Sequence, residues 1–95
     1  MSDLRDLLMR TAERVAAYRA TVGERPVDPQ VDVERFRATF GGSFPDAGAE
    51  AERVIDELVA AAEPALMATV GPRYFGFVMG GALDAATCAD LLTTG

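Results

Sequence analysis

Lysine and histidine are both missing from this chain of 95 residues, and so are asparagine and tryptophan. The nine basic residues are therefore all arginines. A guanidinium stays protonated, so no side chain here offers a nucleophilic amine or an imidazole base. Cys88 is the single cysteine, which excludes an intrachain disulfide, and without histidine it cannot complete a zinc set. Long apolar runs are missing as well. Nothing approaches the roughly 18 to 20 apolar residues of a membrane span, and the opening MSDLRDLLMR is charged from Asp3 onward, without a signal-peptide core. These absences predict a cytoplasmic protein with no membrane partner.

Acidic residues dominate what charge there is. Fifteen Asp and Glu give a net charge of -6, which opposes binding to phosphate backbones and argues against a nucleic-acid partner. Hydrophobic content of 49% and charged content of 25% are ordinary for a folded domain. The length allows one small domain at most, burying about 60 to 65% of its unfolded surface.

Apolar residues at Leu4, Leu7, Leu8, Val15, Tyr18 and Val22 recur with helical period after Ser2, a suitable N-cap, and Gly23 supplies a stop. On the opposite face the Asp6 and Arg10 spacing permits an i,i+4 pair. Pro26 and Pro29 make Glu24 to Val31 an extended connector. Asp32 caps a short helix from Val33 to Phe40, which Gly41-Gly42 ends, and Ser43 to Gly48 has loop composition. A third helix is predicted from Ala49 to Ala62, with Asp56, Glu57 and Glu63 on or just beyond its solvated side. Pro64 interrupts it and suits the first turn of a new short helix over Ala65 to Thr69, before Gly71-Pro72 breaks the chain.

The densest pattern follows. Tyr74 to Met79 is apolar on consecutive positions and aromatic, which predicts a short buried extended segment. Gly80-Gly81 then turns into a last helix from Asp84 to at least Leu92. Paired glycines before a helix N-terminus can offer backbone N–H groups to an anion or let a planar ligand approach, and they serve equally as a tight turn between packed elements. The spacing is not that of a phosphate-binding loop. Cys88 reads as a small packing residue and Arg73 as one half of a surface ion pair.

The run P-R-Y-F-G-F-x-x-G-G-A-L-x-A-A-x-x-A-D-x-L from Pro72 to Leu92 resembles the N-terminal region of the pyridoxal-phosphate-dependent group II amino acid decarboxylases, the aromatic amino acid and glutamate decarboxylase family. More loosely, Leu4 to Tyr18 followed by Glu24-Arg25-Pro26-Val27 and Pro29 is similar to that family's opening helix and connector. Asp84 stands where the family usually has proline, and Thr87 and Cys88 where it has small or aliphatic residues. The resemblance implies a mainly α arm of several short helices with one short extended segment, residues 1–95 forming a single unit without the cofactor-binding domain. Such an arm packs on a partner subunit in a homodimer, or on the remainder of the enzyme. It also implies that Phe77 and Val78 touch the side chain of an amino acid substrate and that Gly80 allows close backbone approach near the cofactor or the substrate carboxylate. The family anchors pyridoxal phosphate through a lysine and stacks a histidine on its ring; this chain has neither. It is therefore expected to bind no cofactor covalently and to be inactive alone, a fragment of a decarboxylase. The alternative is a non-catalytic helical module for dimerisation or partner binding.

Overall fold

A computed structural model of the chain describes residues 3–76 and 81–95. Four helices account for most of them: α1 (Leu4–Thr21), α2 (Val33–Phe40), α3 (Ala51–Ala62) and α4 (Asp84–Thr94). Among the described residues there is no strand, so the mainly α expectation holds. No helix is long and apolar enough to cross a membrane among these residues.

Local chemistry sets most of the boundaries. Ser2 lies outside the described residues; the cap of α1 is Asp3, whose carboxylate accepts from the Asp6 N–H at 2.9 Å. The helix gives way to a 3₁₀ turn over Val22–Glu24, so Gly23 sits inside that turn instead of ending α1. Asp32 caps α2 by accepting from the Arg35 N–H at 3.2 Å, and Gly41 closes it through an N–H bond to the Arg37 carbonyl at 2.7 Å. Inside α2 the rings of Phe36 and Phe40 are 4.8 Å apart and tilted by 56°. This one-turn aromatic pair lines an open groove against Val54 and Leu58 of α3.

Pro64 does not start a new helix. Glu63–Ala65 is a 3₁₀ turn continuing α3, closed by the Leu66 N–H on the Glu63 carbonyl, and Leu66 is then extended with ψ 133°. The predicted helix over Ala65 to Thr69 is replaced by successive tight turns: Thr69 N–H bonds to Met67, Gly71 to Ala68 and Tyr74 to Gly71. These turns dock on the 3₁₀ turn after α1. A Cβ on Gly71 would lie 3.1 Å from the Val22 carbonyl oxygen and 3.2 Å from that of Ala68, and one on Gly23 would lie 3.7 Å from Pro72. Only a residue without a side chain lets two backbones approach so closely at Gly71.

Ala68, at this junction, is 2% exposed and is the one buried hydrophobic among the described residues. The accessible surface is 7861 Å², against about 5300 Å² for a typical folded monomer of this mass. A radius of gyration of 15.5 Å likewise exceeds the roughly 12 Å of a domain of this length. The chain thus buries less than its length permits. Its helices form an open frame around a small hinge-like core.

What joins α1 to α3 is polar. Arg10 and Arg14 of α1 both reach Asp56 of α3, and Arg10 also meets Glu52. The Asp6 and Arg10 pair permitted by spacing gives way to this interhelical network, and Asp56 is not merely solvated. Glu57 instead pairs within α3 with Arg53 at 2.8 Å. That hydrogen bond, aided by the carboxylate charge, raises the Arg53 guanidinium above its ordinary value. Leu7 of α1 and Ile55 and Val59 of α3 are half-buried, whereas Leu4, Leu8 and Val15 of α1 and Val54 and Leu58 of α3 remain exposed.

Candidate functional site

The site residues predicted from sequence, Phe77, Val78 and Gly80, lie with Met79 outside the described residues. Their flanks are described: Arg73 of the N-terminal flank grips the backbone of Arg25, just after the turn that follows α1, and the C-terminal flank is held by Arg19 of α1. On the N-terminal flank, Arg73 donates from Nη2 to the Arg25 carbonyl. This replaces the surface ion pair expected of Arg73: its guanidinium caps an orphan backbone oxygen instead. The Arg25 side chain is itself tied three ways. Its guanidinium carbon lies 4.5 Å from the centroid of the Tyr18 ring, Nε donates to Thr21 Oγ1 at 3.0 Å, and Nη2 pairs with Glu63 at 3.2 Å. A half-buried guanidinium used for a ring face, a hydroxyl and a carboxylate at once is a fixed point, because the planar fork matches all three geometrically.

On the C-terminal flank, Arg19 of α1 donates from Nη1 to the Ala82 carbonyl at 3.2 Å and from Nη2 to Thr87 Oγ1, with the Asp84 carboxylate 3.8 Å away. One arginine therefore collects a backbone oxygen just before α4, a hydroxyl in its second turn and a charge at its start. Thr87 also donates to the Leu83 carbonyl at 3.3 Å, so its hydroxyl acts as both donor and acceptor. The two flanks come close to each other: a Cβ on Gly81 would lie 3.9 Å from the Val70 carbonyl oxygen.

Burial on the N-terminal flank differs from the expected buried strand. Tyr74 is half-buried, but Phe75 is 92% exposed and makes no core. The Tyr74 ring instead folds back on Gly76, where a Cβ would come within 3.0 Å of the phenol oxygen. The turn chemistry of Gly71-Pro72 explains this. Successive tight turns over Met67 to Tyr74 lead into Phe75, which stands in solvent.

Between α1 and α4 lies a groove of about 580 Å³, lined on one side by Leu8, Ala12 and Val15 and on the other by Cys88 and Leu91. Cys88 is exposed here, not packed as the sequence suggested. The chain matches no family model, no curated protein and no solved structure. A second, larger groove of about 1100 Å³ separates α2 from α3. Each is an apolar trough with charged rims: Arg19 and Asp84 for the first, Arg35 and Glu57 for the second.

The donor set limits the chemistry. Carboxylates, guanidiniums, hydroxyls and one thiol can bind and orient, whereas the described carboxylates nearest the flanks, Glu63 and Asp84, are engaged with arginines. Sequence reasoning singled out neither Arg19 nor Arg25 as organisers. The signal available for Arg25 was its place in Glu-Arg-Pro-Val, directly before a proline that holds the chain extended; for Arg19 it was only a position on the margin of an apolar stripe.

Proposed function

We propose that this chain is the N-terminal arm of a pyridoxal-phosphate-dependent group II amino acid decarboxylase, supplying subunit contacts and an apolar wall of the substrate pocket. The observation that carries this reading is the mismatch between apolar surface and core. Among the described residues Ala68 is the one buried hydrophobic, while Leu8, Val15, Val54, Leu58, Leu91 and others along three helices are exposed. Helices patterned for packing but left uncovered are what an arm has before it meets its body. The order of residues from Pro72 to Leu92 supplies the family.

In this role Phe77 and Val78 contact the substrate side chain and Gly80 lets the backbone approach the cofactor or the substrate carboxylate, with the amino acid bound only once the rest of the enzyme is present. The residues of this chain do not fit the cofactor as its holder. With no lysine to anchor it and no histidine to stack on it, pyridoxal phosphate belongs to the body and not to the arm. The work of the arm is shape and exclusion of water, in a cytoplasmic enzyme.

Complementation tests this. A group II decarboxylase deleted of its own N-terminal arm is mixed with the purified chain, and decarboxylation is followed by carbon dioxide release. Recovery of activity that saturates with added chain is the expected result. Failure of the chain to bind the deleted enzyme, or turnover of amino acids by the pure chain, overturns the reading.

A second reading, a helical module that forms a homodimer without any enzyme, draws on the α1 and α4 groove, whose apolar lining is open to a second copy. Sedimentation of the pure chain separates the two. A stable dimer with a cooperative unfolding transition supports the module; a weakly folded monomer that orders on meeting the decarboxylase body supports the arm.

A further inference from the structure

The two arginine centres sit on either side of the same stretch of chain, and both are fixed to the end of α1. Arg25 receives the flank at Arg73 and Arg19 receives the flank at Ala82. Neither contact is a matter of chain connectivity: they span 48 and 63 residues of sequence. Both use a backbone carbonyl and a guanidinium, a pairing that fixes direction because the carbonyl oxygen accepts near its own plane. Arg25 is further locked by Tyr18, Thr21 and Glu63, and Arg19 by Thr87 and Asp84.

We propose that Arg19 and Arg25 are a pair of positioning residues, a clamp that holds the stretches leading from Gly71 to Gly76 and from Gly81 to Leu83 against the end of α1. The purpose of such a clamp is preorganisation. Uncovered helices reorient cheaply, whereas these two flanks, each tied to the end of α1, keep their direction before any partner arrives and lose less freedom on binding. The clamp stands on these contacts alone, independently of the decarboxylase reading.

Arg73 provides a built-in probe. The Arg73–Tyr74 bond is a trypsin site whose recognition side chain is engaged with the Arg25 carbonyl, while the Arg25–Pro26 bond resists trypsin because of the proline. Limited digestion of the full chain, with fragments timed by mass spectrometry, reports how often Arg73 is released. Arg25→Ala is expected to speed cleavage at Arg73 about fivefold, the size set by losing one exposed ion pair and one cation–π contact. Arg25→Lys, which keeps the charge for Glu63 but not the planar fork, should fall between. Arg19→Ala should leave Arg73 cleavage within about twofold and instead speed amide exchange at Thr87, whose N–H bonds the Leu83 carbonyl, since it frees the other flank. Arg53→Ala, whose charge pairs only within α3, serves as the control and changes neither.

Faster cleavage confined to Arg73 in Arg25→Ala supports the clamp. Unchanged cleavage at Arg73 overturns it, and so does equal acceleration at Arg14 and Arg37, which would mean that Arg25 stabilises the whole frame and not this flank. Should Arg25→Ala fail to fold, Glu63→Gln removes one of its three ties and is read against the same criteria.

Discussion

Arg14 of α1 donates to the carboxylate of Asp56 in α3, 42 residues further along the chain, and Arg10 converges on the same oxygen. Two amphipathic helices are thus tied by charge, with Leu7 of α1 and Ile55 and Val59 of α3 half-buried as well. The consequence is a chain in which ion pairs tie α1 to α3 while apolar residues of both helices stay exposed.

Asp56→Ala should therefore loosen α1 from α3, because one carboxylate serves two guanidiniums. Each pair is about 35 to 45% exposed, so the loss should be about 1 kcal/mol. Glu57→Ala, which removes only the pair within α3, should cost less. Urea titration by circular dichroism ranks the two. The Arg53 guanidinium is raised above its ordinary value, so its contribution is complete at neutral pH and is lost only as strongly alkaline pH removes the proton.

Gly71 is the second point of leverage. A methyl group there would meet the Val22 and Ala68 carbonyl oxygens at 3.1 and 3.2 Å, so Gly71→Ala should destabilise the turn junction by about 1 to 2 kcal/mol. Gly48→Ala, with nothing within 4 Å of the added carbon, should be neutral or stabilising by up to about 1 kcal/mol. Thermal melts of the two variants, side by side, decide whether the junction is as tight as the geometry says.

How far the fold was legible follows from how far each cause reaches. Asp32 and Gly41-Gly42 bracket α2 with purely local chemistry, and its limits at Val33 and Phe40 follow from them. The start of α4 at Asp84 is local too. The fate of the chain after Pro64 is not. Proline chemistry allowed a new helix, but Leu66 to Gly71 turn because they dock on Val22, a contact more than forty residues away that no window of sequence contains. Arg10 illustrates the same limit: its spacing from Asp6 fits an intrahelical pair, and a better placed carboxylate from another helix takes it. At the candidate site the aromatic pattern read as buried, and Phe75 is exposed because burial needs a second surface that the chain does not supply.

Removing the α2 cap should be felt locally. Asp32→Ala is expected to cost about 1 kcal/mol of helix stability, seen as lost helical signal, while Asp32→Asn should retain most of it because its amide oxygen can still accept the Arg35 N–H. A helix of eight residues packed on one side has little else to keep it wound.

The outward apolar surface yields the opposite expectation. Leu8→Glu with Leu91→Glu, on the two walls of the α1 and α4 groove, should change the stability of the isolated chain by no more than about 0.5 kcal/mol, as for other exposed positions. The same double variant should abolish binding to the decarboxylase body or to a second copy. Analytical ultracentrifugation alongside urea titration checks both halves of this expectation.

The solitary burial of Ala68 also bears on how the chain responds to temperature. Heat capacity rises on unfolding in proportion to the apolar area newly wetted, and here most of that area is wet already. The stability curve of the free chain is accordingly expected to be flat, with little curvature. If the chain docks as proposed, that step is expected to carry a larger heat-capacity change than its own folding.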